Sequence, residues 1–326
     1  EADQTAALDW LNFAAERNFV PAINKAGQAY LNGSIVEKDL QRAFEYFSLG
    51  RELKYGPSML SLAGLYEADD GIGKDLTKAK SVLLECIEIK YNKCHLALGR
   101  LYSWYGESIE EYRSAEKHLR AALEKNLRGA ASELGLLLDD IKELGASGSE
   151  IVELLSIASE EGSFLAKVRL GERIVSGRGV EQDLDRGLQL IKEVAEQDFE
   201  EAYLSLAKIH ASDTTVTSDP IEAAHWLQKA AATGHTWSAY KLARFKIEEK
   251  LLSPSKAEGL DEMEKLAYGG YVDAQWYLGW HYRRSVEPPN LKAAVKWYRM
   301  GAENGEKFSK LAFGEMLAKG EGIKQD

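Results

Sequence analysis

Histidines and acidic doublets are the residues of this sequence whose types could do metal or acid–base chemistry. No histidine is paired with another histidine or a cysteine at helical spacing, apart from the adjacent Cys94 and His95, which cannot face the same way. Neighbours such as Asp139 and Asp140 point about 100° apart on a helix, so we predict solvated helix faces. The six histidines are His95, His118, His210, His225, His235 and His281. We therefore predict no metal site, no cofactor and no catalytic centre.

Glycine pairs such as Gly177 and Gly179 are the other feature that could carry chemistry, because glycine-rich loops bind phosphate groups. Such a loop needs a preceding strand and a helix that begins at its last glycine. Here the pairs lie between two predicted helices and recur along the chain, as in Gly71 and Gly73 or Gly320 and Gly322. They are therefore predicted to be turns.

The composition favours an acidic, helical protein with a large core. The chain has 326 residues, 45% of them hydrophobic and only 6 of them proline, and its net charge is −11. A negative surface repels phosphate backbones, so we expect no nucleic-acid partner. No apolar stretch approaches the roughly 18–20 residues that cross a bilayer, so no membrane span is predicted.

The elements that position every side chain form an internal repeat with a period of 36 residues. A small residue recurs at this step, with 35 residues only before the last member. The members of this first series are Gly27, Ala63, Gly99, Gly135, Gly171, Ala207, Ala243, Gly279 and Gly314. A parallel second series comprises Ala7, Ala43, Ala79, Ala115, Ile151, Gly187, Ala223, Gly259 and Ala294. Because close helix packing requires small side chains at the crossing point, the two series predict two helices per repeat.

The residue four positions before each second-series residue is predicted to begin the second helix. These candidate N-caps are Asp39, Asp75, Glu111, Ser147, Asp183, Asp219, Ser255 and Asn290. Most of them are types whose side chains accept hydrogen bonds from the free N–H groups of the first helical turn. The sequence thus predicts an all-α, right-handed α/α superhelical solenoid of about nine helix-turn-helix repeats.

These motifs resemble the Sel-one-like repeat, a relative of the tetratricopeptide repeat. The resemblance is carried by Leu170-Gly171 followed by the segment 177–183, by Asp219, Ala223 and Trp226, and by Ala294 with Trp297-Tyr298. It covers residues 1–326, which we therefore expect to form a single repeat array. Both ends fall within a repeat, so the array is expected to be truncated. Residues 128–163 lack the Gly-x-Gly turn and place Ile151 at a small-residue position, so we expect a hinge there.

Cys86 and Cys94 are the only cysteines, and they lie eight residues apart across a predicted turn between helices. At that spacing they could approach within disulfide range. In the cysteine-rich branch of the Sel-one-like family, bridges join repeats at the same spacing, so the resemblance implies a disulfide here. The alternative is two reduced, buried thiols. A disulfide implies an oxidising compartment, which is a bacterial periplasm, the secreted space or the endoplasmic reticulum.

A strip of basic and aromatic residues is the predicted binding site. The first helices of such arrays line a concave groove, and the residue after each first-series position is mostly polar, with Trp280 in the eighth repeat. The column three residues earlier becomes Tyr277 in the same repeat. We predict that a partner protein or peptide binds Lys208, Lys241, Arg244, Tyr277, Trp280 and Arg284. The alternative is that Tyr277 and Trp280 only cover a seam between repeats.

The resemblance implies a non-catalytic adaptor, and the acidic composition with one disulfide favours a bacterial periplasmic or secreted protein. An endoplasmic-reticulum quality-control adaptor is the alternative location and role. A second hypothesis is a carbohydrate-binding or polysaccharide-export component, in which Tyr268, Tyr271, Trp276 and Trp280 stack on sugar rings. A third is the regulatory arm of a larger enzyme.

An end-to-end homodimer through the helix around Phe308 and Leu317 is also expected. Trp10, Trp226, Trp297 and Tyr46 share one column and are predicted to pack in the core.

Overall fold

The computed structural model describes residues 10–11, 13–15, 17–69, 72–212, 219–248, 250 and 256–323. Within these ranges the chain is helical and contains no strand. Its contacts divide it into two compact units. Unit 1 comprises Glu1–Arg173 and Gly177–Glu181, and unit 2 comprises Ile174–Ser176 and Gln182–Asp326.

Successive helices alternate as the first and second helix of a repeat. The first helices are α1 (Val20–Asn32), α3 (Gly56–Glu67), α5 (Lys93–Tyr105), α7 (Ala130–Asp140), α9 (Phe164–Ser176), α11 (Glu200–His210), α13 (Thr236–Ile247), α15 (Val272–Trp280) and α17 (Lys307–Lys319). The second helices are α2 (Leu40–Glu52), α4 (Leu76–Glu88), α6 (Ile109–Glu124), α8 (Gly148–Glu160), α10 (Leu184–Ala195), α12 (Pro220–Ala232), α14 (Lys256–Tyr268) and α16 (Leu291–Glu303). A short 3₁₀ helix, Lys142–Leu144, follows α7, and a π-helical turn, His281–Ser285, follows α15.

The first series marks the centres of the first helices, as predicted. In unit 1 each helix from α1 to α7 contacts the next, and α3 also contacts α5, which contacts α7. The small residues permit this packing: a Cβ added at Gly99 would lie 2.7 Å from Leu119, and one at Gly279 in unit 2 would lie 2.6 Å from Tyr298. All nine positions are buried except Gly314, which is exposed. The all-α helix-pair prediction is therefore confirmed.

The second helices begin at the predicted caps in most repeats. Asp39, Asp75 and Asp183 each accept a hydrogen bond from the backbone N–H three residues on. Glu111 is the exception, because α6 begins earlier and Ser108 caps it by accepting from the Glu111 N–H. The Glu111 carboxylate instead pairs with Lys80 from the preceding repeat. Ser255 and Ala7 lie outside the described residues.

A third periodic feature appears in the turn after every second helix. One residue there has a positive φ of 52° to 96°, again at the 36-residue step, with 35 residues before the last member. These residues are Asn18, Lys54, Lys90, Asn126, Gly162, Asp198, Gly234, Gly270 and Gly305. The left-handed conformation ends the helix and turns the chain toward the next repeat, and it favours glycine, asparagine and aspartate.

Two packing predictions are wrong. Trp10 is 70% exposed and contacts Phe13, whereas Trp226 and Trp297 of the same column are buried. Asp139 does not lie on a solvated face, because its carboxylate is buried against the guanidinium of Arg173, 2.8 Å away. This buried ion pair lies inside unit 1. It connects the repeat 128–163, for which a hinge was predicted, with helix α9. That hinge stays a prediction, as does the single array over residues 1–326.

Candidate functional site

The predicted strip lies at the C-terminal ends of first helices in unit 2. Lys208 and Arg244 occupy the last turns of α11 and α13, where cations oppose the partial negative charge of the helix end. The acidic Glu200 and Glu201 occupy the first turn of α11, which complements the opposite end. The strip residues are Lys208 on α11, Lys241 and Arg244 on α13, Tyr277 and Trp280 on α15, and Arg284 in the π-helical turn.

Trp237 joins the two lysines of the strip. The Lys208 ammonium lies 5.8 Å and the Lys241 ammonium 5.7 Å from the centre of its half-buried indole ring. Both distances are within the reach of a cation–π interaction. The sequence reasoning missed Trp237, although it stands one helical turn before Lys241 and therefore shares its face. A search one turn upstream of each strip residue would have found it.

Tyr277 is not exposed, so the predicted strip needs a correction. Its side chain is only 2% exposed and belongs to the core cluster of unit 2. The Arg244 guanidinium lies 5.5 Å from its ring, and the Trp280 ring lies 5.8 Å from it. Burial raises the pKa of Tyr277, so the phenol stays neutral. Tyr277 therefore supports Arg244 and Trp280 from beneath and offers a partner no surface of its own.

The two arginines of the strip differ in their neighbours. Arg244 pairs with Glu248 one turn on, which offsets its charge, and the carboxylate helps to raise the pKa of the guanidinium against its burial. Arg284 is exposed. Its neighbour Arg283 is instead turned inward and pairs with Glu321 at 2.8 Å. The accessible part of the strip therefore consists of Lys208, Trp237, Lys241, Arg244, Trp280 and Arg284, which we call the cationic strip.

The aromatic residues of the carbohydrate hypothesis have different partners. Tyr268 packs against Trp297, with ring centres 4.9 Å apart, and Tyr271 packs against Tyr240 at 5.5 Å. Trp276 lies 6.4 Å from Phe308, and Trp280 packs on Tyr277. Each ring thus stacks on a different neighbour, although Tyr271, Trp276 and Trp280 border the same core cluster, and the carbohydrate hypothesis stays a prediction.

Cys86 and Cys94 form the disulfide that the resemblance implied. Their Cα atoms are 6.2 Å apart, and both side chains are buried between α4 and α5. The described residues include no free cysteine. The disulfide therefore ties the second helix of one repeat to the first helix of the next, within unit 1.

A histidine pair beside this disulfide escaped the sequence reasoning. The Nδ1 atoms of His95 on α5 and His118 on α6 lie 3.0 Å apart. Burial, followed by the charges of His95 and Lys117, lowers the pKa of His118 to about 4. Because 23 residues separate the two rings, only the packing of the two helices reveals the pair.

His210 and His281 are buried packing residues, as predicted.

Three further expectations concern metals, membranes and dimers. Within the described ranges, no three His, Cys, Asp or Glu side chains are grouped so that they could hold a metal ion. Every helix described is too short or too polar to traverse a bilayer. On α17, Phe308 is 68% and Leu311 64% exposed, but no partner is present, so the end-to-end dimer stays a prediction.

The comparison with protein families supports the repeat assignment directly. The Sel1 repeat model matches residues 1–19, 20–55, 165–199, 200–235 and 272–306. The irregular repeat 128–163 lies outside these segments. No curated protein shows significant sequence similarity to the chain.

Solved structures share the fold. The protective antigen c5321 of uropathogenic Escherichia coli, described as having an SLR fold, is 24% identical, and the match covers 99% of this chain and 69% of that one with a TM-score of 0.72. A Sel1 repeat protein from Oxalobacter formigenes is 24% identical over 65% of this chain and 84% of its own, with a TM-score of 0.55. Human IFIT1 with m7Gppp-AAAA is 14% identical over 98% and 78%, with a TM-score of 0.53. These likenesses establish the solenoid fold.

Proposed function

Because the chain belongs to the Sel1 repeat family, we propose that it is a non-catalytic scaffold whose cationic strip binds an acidic, aromatic-containing segment of a partner protein. The family suggests protein–protein interaction in general. The strip narrows this to a ligand that offers carboxylates to Lys208, Lys241 and Arg284 and an apolar side chain to Trp237 and Trp280.

The contact that carries this proposal is the Trp237 indole with a lysine ammonium near it from each of two successive first helices. On a protein of net charge −11, such clustering gives a local surface with the opposite sign. Aromatic rings and cationic side chains are typical of the residues that contribute most to binding. Binding by this surface requires no side chain that gains or loses a proton, and the buried phenol of Tyr277 stays neutral.

We further propose that the protein works in the bacterial envelope or outside the cell. The Cys86–Cys94 disulfide supports an oxidising compartment. The lumen of the endoplasmic reticulum would satisfy the same requirement, and cell fractionation of the native host distinguishes the two. A role as the regulatory arm of a larger enzyme is compatible with the strip, since binding would again be its task.

The test is binding of fluorescent peptides that carry glutamates around one tyrosine, compared with peptides that carry glutamines instead. The glutamate peptides are expected to bind more tightly and to lose affinity as the salt concentration rises from about 50 to about 300 mM. A Lys241→Gln, Trp280→Ala double variant is expected to bind them roughly tenfold more weakly, which corresponds to about 1.4 kcal/mol.

Lys25→Gln is the matched control, because Lys25 is the exposed residue of the same column in unit 1. Its affinity should equal that of the unaltered protein. Equal binding of glutamate and glutamine peptides would refute the proposal. Salt-independent binding of an oligosaccharide would favour the carbohydrate hypothesis.

A further inference from the structure

A cavity of about 460 Å³ opens in unit 1, apart from the cationic strip of unit 2. It lies between the first helices α3 and α5, and the turn between α6 and α7 contributes Leu127 and Arg128. Aliphatic side chains, Leu60 and Leu96 among them, line it. Its volume is within the range of about 300–1,000 Å³ that is usual for ligand sites.

Gly64 accounts for the opening. It lies within α3, yet its φ is not positive, and a Cβ added to it would meet nothing within 4 Å. Neither a turn nor close packing therefore requires glycine here, although glycine destabilises a helix interior relative to alanine. The equivalent position carries a long side chain in the next repeat, Arg100, and in unit 2, Arg244. Because Gly64 has no side chain, the space between α3 and the facing side of α5 stays open.

The charges around the cavity are mostly positive. Lys93, Arg100 and Arg128 line it with a single carboxylate, that of Glu67. On a chain of net charge −11, this sign complements an acidic ligand. The Arg128 guanidinium already donates to the backbone oxygen of Glu161, which leaves Lys93 and Arg100 as the other two cations of the lining.

The side chain of Arg100 has a buried hydrogen-bond donor, the Nε atom, without an acceptor among the described residues. Its guanidinium carbon lies 4.8 Å from the ring centre of Trp104, which is 58% exposed. The nearby Glu133 carboxyl attracts the Arg100 guanidinium, but its hydrogen bond is to Trp104, so it does not accept from the Arg100 Nε N–H. Because Nε is closed off from solvent, a ligand carboxylate would approach the terminal N–H groups of this partly buried guanidinium, for which it is a strong acceptor.

We propose that this Gly64 cavity is a second peptide-binding site, which takes one large apolar side chain into the space above Gly64 while a neighbouring glutamate or aspartate binds Arg100. The site is independent of the cationic strip, since all of its lining residues belong to unit 1. Two sites of different chemistry on one chain would let the scaffold hold two segments of a partner at once. Binding of both segments would then raise the overall affinity by linkage.

An array of eight-residue peptides tests the site. One apolar residue (Leu, Met, Phe or Trp) and one glutamate are moved through every register of a Gly/Ser background, beside arrays with glutamine in place of glutamate or serine in place of the apolar residue. Peptides with both features are expected to bind best. Gly64→Leu should weaken their binding at least tenfold, and Arg100→Gln should reduce glutamate peptides to the level of their glutamine counterparts.

Two variants make loss of binding distinguishable from loss of folding. Gly64→Ala should raise Tm and reduce affinity less than Gly64→Leu, because a methyl group occupies only part of the cavity. Gly314→Leu is the matched control: Gly314 also lies within a helix, α17, in open space, but it is not among the residues that line the Gly64 cavity. It should leave binding unchanged.

Binding to Gly64→Leu as tight as to the unaltered protein would overturn the proposal. So would peptides with both features that bind no better than peptides with one. The array is probed with the Lys241→Gln, Trp280→Ala variant, whose cationic strip no longer competes for the same peptides, and the peptides with both features should still bind to it. If this variant loses these peptides, the Gly64 cavity is not a separate site. If this variant loses the acidic peptides while Gly64→Leu binds them normally, the Gly64 cavity is refuted and the proposal for the cationic strip stands.

Discussion

Unit 1 and unit 2 repeat the same helix pair, yet unit 1 places its reactive and charged groups between helices. There the disulfide joins Cys86 and Cys94, and the carboxylate of Asp139 meets Arg173 in the interior. The ring of His118 is packed against a second histidine with a depressed pKa. Each of these contacts ties one helix to another, so they stabilise unit 1.

Both units place charges beside aromatic rings, as unit 1 does with Arg100 and Trp104, and in unit 2 such contacts form the cationic strip. Lys208 and Lys241 lie near the indole of Trp237, and Arg244 lies over Tyr277. The backbone that carries these side chains is the same helix pair as in unit 1. The comparison therefore shows that the repeat determines the positions of the side chains. The residue types at those positions decide whether they form a stabilising contact between helices or an exposed binding surface.

The buried ion pair should give the largest difference between the units. Asp139→Ala leaves the Arg173 guanidinium buried without its carboxylate, so we expect a loss of about 3 kcal/mol in the free energy of unfolding. In unit 2, Arg283 and Glu321 form a more exposed pair, and Glu321→Ala is expected to cost less than about 1 kcal/mol. Urea unfolding followed by circular dichroism measures both. Equal losses would contradict the distinction.

Removal of the disulfide should come next in size. The bridge closes a loop with a sequence separation of 8, and the loss of this constraint on the unfolded chain corresponds to about 2–3 kcal/mol. A Cys86→Ser, Cys94→Ser double variant should show this loss, together with faster amide hydrogen exchange in α4 and α5. Exchange in α12 to α16 should not change. Faster exchange throughout both units would show that the bridge stabilises more than its own seam.

Acid should weaken unit 1 through its histidine pair. Burial lowers the pKa of His118 to about 4, whereas the pKa of histidine in an unfolded chain is about 6.5. Between these values the unfolded chain binds the extra proton, so stability rises with pH and falls as the pH drops from about 6.5 to about 4. Because the ring is only partly buried and solvent screens the effect, the loss should be about 2 kcal/mol, less than the full shift corresponds to. His118→Gln should flatten this dependence, while His225→Gln, at an exposed position of unit 2, should leave the slope unchanged.

The turns after the second helices should give the smallest effect. In unit 1 most of these positive-φ positions are not glycine, whereas in unit 2 Asp198 is the one that is not. Lys90 has a φ of 63°, which is strained for a side chain of its length. Lys90→Gly is therefore expected to raise stability by about 0.5–1 kcal/mol, measured as a higher urea midpoint. The same change at Asp198 should gain less, because aspartate tolerates this conformation better.

Much of the fold could be predicted because it is periodic along the chain. Most small residues of both series, such as Ala79 and Ala243, are buried as expected, with Gly314 the exception among the described ones, and most cap positions are used. The candidate site was less predictable. Burial within a column depends on the neighbouring repeat, which is why Tyr277 is buried although Lys25 and Lys241 of the same column are not.

The sequence by itself determined the period, the helix type and the turns of this protein, because these follow from local preferences that recur every 36 residues. Only the tertiary structure decided which side chains meet. The contact of His95 with His118, the place of Trp237 between two lysines and the opening above Gly64 each join different helices. Such contacts depend on the distance between packed helices and on side-chain rotamers, and neither quantity is encoded in the spacing of residues along one chain.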